Sequence, residues 1–149
     1  MKFKFSLQKV LEHRKIKENL AQKDFQDVAV LLNEQQAILE KMHQDVLDAQ
    51  THAGSLVQMG GNQGPALSQI HEFLKGQKIR IAQQMQKIQE VEKLVESKRE
   101  ILRQAALDYK IMEKMRENKF EEYKAERIAQ DQKEMDEQAI LRFKSVKES

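Results

Sequence analysis

The chain has 149 residues, 34% of them charged and only 5% aromatic, with no Trp, no Cys and a single Pro. That mix excludes a thick globular core and favours long helices with a narrow apolar seam. A net charge of +2 gives no global field for nucleic acid, and the absence of Cys excludes both a disulfide framework and thiolate zinc sites.

The first seventeen residues are locally basic: Lys2, Lys4, Lys9, Arg14, Lys15 and Lys17 stand against Glu12 alone. They contain no continuous apolar run of the kind that opens a secretory signal. Nowhere does an apolar stretch approach the ~18–20 residues needed to span a bilayer, so direct membrane insertion is not expected. These features predict a cytoplasmic protein.

A first helix is predicted over about 3–57. Steps of four and three from Leu7 give Leu11, Arg14, Glu18, Ala21, Phe25, Val28, Leu32, Gln35, Leu39, Met42, Val46, Ala49, Ala53 and Leu56. All but three of these are apolar, which is a heptad seam sustained along the whole segment.

A turn is predicted over about 58–65. Gly54, Gly60, Gly61, Gly64 and Pro65 gather here, within a window from Asp48 to Glu72 that has no charged residue between its ends. Gly54 or Gly60 can end the first helix in a left-handed conformation. Pro65 can sit in the first turn of the next helix, where its missing N–H costs nothing.

A second helix is predicted over about 66–149. Leu67, Leu74, Ile81, Ile88, Val95, Leu102 and Tyr109 recur every seven residues. Their companions three places on are mixed: Ile70, Gln77, Gln84, Val91, Lys98, Ala105 and Met112. Met85, Leu94, Ile101 and Leu107 are expected to broaden this face. Glu72/Lys75, Glu90/Lys93, Glu96/Arg99, Glu100/Arg103, Glu113/Arg116 and Glu121/Lys124 are each three apart and so share a face as solvated ladders.

One stripe per arm is too narrow to stand alone, and reversal at the glycines lets each cover the other. The expected fold is all-α: an antiparallel two-helix coiled coil, or long α-hairpin, forming a single domain over 1–149, with the C-terminal helix the longer. Pairing of two continuous arms with another chain is an alternative that the seams alone leave open. At ~1.5 Å per residue the second arm would overhang the first by something like ~40 Å. There the seam shifts to Met115, Phe120, Ile128, Met135, Ala139, Phe143 and Val146. An unpaired helix with an apolar stripe invites a partner.

Catalytic and ligand constellations are missing. His13, His43, His52 and His71 do not make a metal-ligand pattern, and "GGNQG" lacks the Lys-Ser/Thr of a phosphate loop and follows no strand. No nucleophile elbow is present, and a two-helix seam offers no deep pocket. The sequence therefore points away from an enzyme, with no cofactor and no metal expected. Nucleic acid is not an expected partner either, since 66–149 carries 18 basic against 16 acidic residues. Phe73 and Leu74 stand side by side near the turn, and heptad packing needs only one of them.

The N-terminal stretch "FKFSLQKVLEHRKIKENLAQKDF" resembles the start of the flagellar FliJ family, which opens with a Phe, a Leu, a Val/Leu-Leu pair and an Arg at this spacing. The distal "YKIMEKMRENKFEEYKAERIAQDQKEMDEQAILRF" is similar to its C-terminal helix, including the "DEQA" cluster before Arg142. The charge-free glycine-rich turn is not part of that pattern. The resemblance implies a non-enzymatic stalk of the flagellar type III export apparatus, with a fold like the coiled-coil stalk of rotary ATPases. The implied partners are the hexameric export ATPase, whose ring assembly it would promote, the membrane export gate and export chaperones. The implied location is the cytoplasmic side of the inner membrane, held there peripherally. Phe3, Phe5, Leu7, Leu11, Arg14, Asp136, Glu137 and Arg142 would then form the ring-proximal end, with Phe73 and Leu74 nearer the gate. A generic scaffold coiled coil, or the equivalent stalk of an injectisome-type system, would show the same seams.

Overall fold

The computed structural model describes residues 2–148. Two helices, α1 (Gln8–Met59) and α2 (Gly64–Glu148), pack against each other, and the described residues contain no strand. The expected all-α hairpin with the longer C-terminal helix is the observed fold. The chain divides into two compact units, one formed by Leu20–Arg103 and the other by Met1–Asn19 with Gln104–Ser149.

The unit Leu20–Arg103 contains the reversal. Gly60 and Gly61 have φ of 70° and 79°, the left-handed region that only glycine occupies without strain. Gly60, directly after Met59, is therefore the residue that stops α1; Gly54 lies inside the helix. The Leu67 N–H donates to the Gln63 carbonyl at 3.0 Å, which places Pro65 in the first turn of α2 as expected. The connection is shorter than the 58–65 predicted, because α1 continues to Met59 and α2 begins at Gly64.

In this unit every seam position from Ala21 to Leu56 on α1, and from Leu67 to Leu102 on α2, is buried or half-buried. Ile88, Val91, Val95, Ala21 and Leu56 form its apolar core. Among the described residues no large side chain is fully buried, so the core is one layer thick. Half-burial of a Leu or Val contributes about 1 kcal/mol, and stability accumulates along the seam rather than in a centre.

Polar residues interrupt the seam at defined levels. Gln35 and Gln84 are both buried, and the Gln84 side-chain amide donates to the Gln35 carbonyl and to Gln35 Oε1, each at 2.9 Å. Gln77, 4% exposed, donates to the Met42 carbonyl at 3.2 Å. Met85, Leu94 and Ile101 stand exposed instead of broadening the face. They lie beside the seam, and a single facing helix is too narrow to reach them. Leu107, in the other unit, is exposed for the same reason.

The other unit pairs the start of the chain with α2 from Gln104 onward. Leu11, Ala105 and Met112 are its buried apolar residues. Residues 2–5 are not helical, contrary to the start near residue 3 that the heptad suggested. "KFKF" alternates by two, and the structure follows that period: Lys2 and Lys4 face solvent while Phe3 and Phe5 are half-buried. The Gln8 N–H donates to the Phe5 carbonyl at 3.0 Å and the Leu11 N–H to the Leu7 carbonyl at 3.0 Å, which starts α1.

Ion pairs follow part of the expected ladder. Arg99–Glu96, Arg103–Glu100 and Lys124–Glu121 close at 2.6, 2.5 and 3.1 Å, all on exposed side chains and each worth about 0.2–0.5 kcal/mol. Arg116 is instead drawn towards the N-terminal segment, its Nε donating to Gln8 Oε1 at 3.2 Å.

Candidate functional site

The residues expected at one end of the molecule do belong to one unit. Phe3, Phe5, Leu7, Leu11, Arg14, Asp136, Glu137 and Arg142 all fall within Met1–Asn19 and Gln104–Ser149. Their environments differ. Leu11 is buried in the seam, and Leu7, in the turn just before α1, is 37% exposed. Arg14 occupies a seam position yet keeps its charge solvated in part, with Nη1 donating to the Asp108 carbonyl at 2.9 Å. An Arg there holds α1 to the α2 backbone through its long side chain, where an apolar residue would only fill space.

Next to Arg14, the Lys15 ammonium lies 4.7 Å from the centroid of the Tyr109 ring. Tyr109 is half-buried, and its hydroxyl is hydrogen-bonded to Glu113. That bond, with burial and the charges of Glu113 and Glu18, holds the phenol above its usual range.

The N-terminal segment ends in an aromatic cluster. The Phe3 ring is 5.2 Å from Phe120 and 5.5 Å from Tyr123, and Phe120 and Tyr123 stack at 6.5 Å. The Arg116 guanidinium sits 5.7 Å from the Phe3 ring and the Lys124 ammonium 5.0 Å from Phe120. Phe3, Phe5 and Ser6 line a shallow groove with Lys119, Glu122, Tyr123 and Glu126. The ring pairs contribute about 0.5–1.5 kcal/mol each, and half-burial of two Phe side chains adds about 1 kcal/mol each. Ordering each residue of the extended segment costs about 1–2 kcal/mol. Attraction and entropy nearly cancel over residues 2–5.

Beyond Tyr123 the helix is exposed throughout its described length. Ile128, Met135, Ile140, Leu141, Phe143 and Val146 present apolar surface there, and Ile140 and Leu141 line a shallow depression with Glu137. Asp136 accepts a hydrogen bond from Gln132 Nε2 at 3.1 Å, and Arg142 is exposed. At ~1.5 Å per residue, Lys124–Glu148 is roughly 37 Å of helix whose residues are all exposed.

Phe73 and Leu74 lie in the other unit and have separate surroundings. Leu74 is half-buried in the seam, whereas Phe73 is 39% exposed with the Arg80 guanidinium 5.6 Å from its ring. Arg80 Nε donates to Gln77 Oε1 at 2.9 Å, so the residue that covers Phe73 is tied to the same Gln77 that bonds across to Met42. Gly76 makes the room: a Cβ there would stand 2.9 Å from Arg80 Nη1. Sequence reasoning missed Tyr123, Gly76 and Arg80. The i, i+4 spacing of Gly76 and Arg80 is the signal that was available for the last two.

Among the described residues no group of three or more His, Asp or Glu side chains is placed to hold a metal ion, and no helix is long and apolar enough to cross a membrane. The family model for the flagellar FliJ protein matches residues 3–148. The chain belongs to the flagellar FliJ family. No curated protein and no solved structure matches it. Family membership over nearly the whole chain, together with the helical hairpin, makes this a flagellar export-related coiled-coil protein. The resemblance drawn from the two ends of the sequence is thus shown, and the match runs through the glycine-rich turn as well. A non-catalytic role is consistent with that membership.

Proposed function

We propose that this protein is the stalk of the flagellar type III export ATPase, promoting assembly of the hexameric ring and coupling it to the membrane export gate and to export chaperones. The observation that carries the reading is the exposed apolar surface of α2 at Ile128, Met135 and Phe143, each more than 60% exposed. An apolar stripe of this length on a charged helix suits insertion among the subunits of a ring. Family membership supplies the export context. In this reading Phe3, Phe5, Leu7, Leu11, Arg14, Asp136, Glu137 and Arg142 form the ring-proximal end, and Phe73 with Leu74 contacts the gate or a chaperone. The protein acts in the cytoplasm, held peripherally at the inner membrane by these partners.

The test is binding of the export ATPase to the full chain and to Ile128→Asp/Met135→Asp. Both side chains are more than 60% exposed, so the double variant leaves the fold intact while placing charge on the stripe. Binding at least tenfold weaker with unchanged helicity supports the reading, and unchanged affinity contradicts it.

A further inference from the structure

We propose that the face of α2 carrying Ile128, Met135 and Val146 pairs antiparallel with the same face of a second copy of this chain. At about 100° per residue, Met135, Ala139 and Val146 fall within about 20° of Ile128, while the buried Ala105 and Met112 lie about 140° and 160° away. The stripe therefore sits on the side of α2 turned away from the start of α1, and a second helix can cover it without disturbing the hairpin. From Ile128 its positions run through Gln132, Met135, Ala139, Arg142 and Val146, in steps of four and three. That is the heptad of a helix that meets another helix, and all of these residues are exposed.

A second copy is the occupant because the face is complementary to itself. Turned end for end about a point between Lys133 and Glu134, the stripe sets Ile128 against Ala139 of the second copy and Met135 against its Gln132, so large residues meet small or flexible ones. Phe143, about 60° from Ile128, leans towards its own N-terminus and so lies over the small Ala125 and Ala129 of the second copy. On the opposite flank Arg142 leans the same way, towards Asp131 of the second copy, and symmetry repeats the pair. Neither Asp131 nor Arg142 has an ion pair among the described residues. A parallel pairing would instead set Arg142 against Arg142, like charge on like. The inference goes beyond the stalk reading; where that reading holds, the two copies part before the ring takes the same face.

The experiment uses the full chain without the ATPase, so its outcome stands whatever becomes of the stalk reading. In sedimentation equilibrium from about 1 µM to about 1 mM, the mass should rise from one chain towards two. Ile128→Asp/Met135→Asp should remain a single chain throughout, at unchanged helicity. A native chain that stays single, or a variant that dimerises as well as the native chain, overturns the proposal. Asp131→Arg and Arg142→Asp should each weaken the dimer about tenfold, and the two together should restore it. Failure of the double exchange to restore it overturns the pairing. Single spin labels at Gln138→Cys and Ser145→Cys, in a chain with no native Cys, locate the register. Each label and its counterpart in the second copy should be separated along the axis by roughly 14 Å at the first site and roughly 35 Å at the second. Equal distances at the two sites mean a parallel pair and overturn the proposal.

Discussion

The Gln84 side-chain amide donates to both the main-chain carbonyl and the Oε1 of Gln35, at 2.9 Å each, in the middle of an otherwise apolar seam. A polar pair at one level penalises every register that separates its members, because each would then be buried without a partner. Gln84→Leu alone should cost about 1–2 kcal/mol, since it strands the Gln35 side chain. Gln35→Leu with Gln84→Leu should be near neutral in stability but lose the unique register. Labels on Lys41→Cys and Lys78→Cys, beside the Met42–Gln77 contact, would report one narrow distance in the native pairing and a spread in the double Leu variant.

Leu39→Asp places a carboxylate in the half-buried seam of the same unit. A loss of about 2–3 kcal/mol is expected, combining the lost apolar burial with desolvation of the charge. Thermal unfolding unchanged from the native chain would show the seam assignment to be wrong.

The glycines separate cleanly into two kinds. A Cβ at Gly60 or Gly61 meets nothing within 4 Å, yet both have positive φ, so Ala at either should cost about 1–2 kcal/mol through the backbone alone. Gly54 is helical and equally uncrowded, so Gly54→Ala should stabilise by up to about 1 kcal/mol. Denaturant midpoints moving in opposite directions would bear this out; a loss on Gly54→Ala would not.

Tyr109 sets an alkaline limit. Its phenol is raised by the hydrogen bond to Glu113, then by burial and by the charges of Glu113 and Glu18. A folded pKa above the unfolded value means that the contribution is intact below about pH 10 and is lost as pH rises through the folded value. Ultraviolet titration of the tyrosinates should show a late-ionising Tyr that Glu113→Gln brings back to an ordinary range. An identical curve for the variant would exclude Glu113 as the cause.

The seams were readable because a facing pair of helices imposes the heptad on both, and Arg14, Glu18 and Gln35 kept their seam places despite being polar. Met85, Leu94 and Ile101 were misread because apolarity alone does not show how wide the covering element is. At the N-terminus a heptad extrapolated from Leu7 hid the period-two pattern of Phe3 and Phe5, which the aromatic pair on α2 draws into an extended strap. The cover of Phe73 was not legible, since it depends on Arg80 folding over Gly76 and on Gln77 orienting Arg80 from below.

The most direct test of the stalk reading is the hydrolysis rate and ring formation of the cognate flagellar export ATPase at moderate salt, with the full chain, with the Ile128→Asp/Met135→Asp variant, and with neither. The account predicts faster hydrolysis and more hexamer with the native chain, and neither effect with the variant at equal helicity. Hydrolysis and assembly that are the same in all three would contradict it.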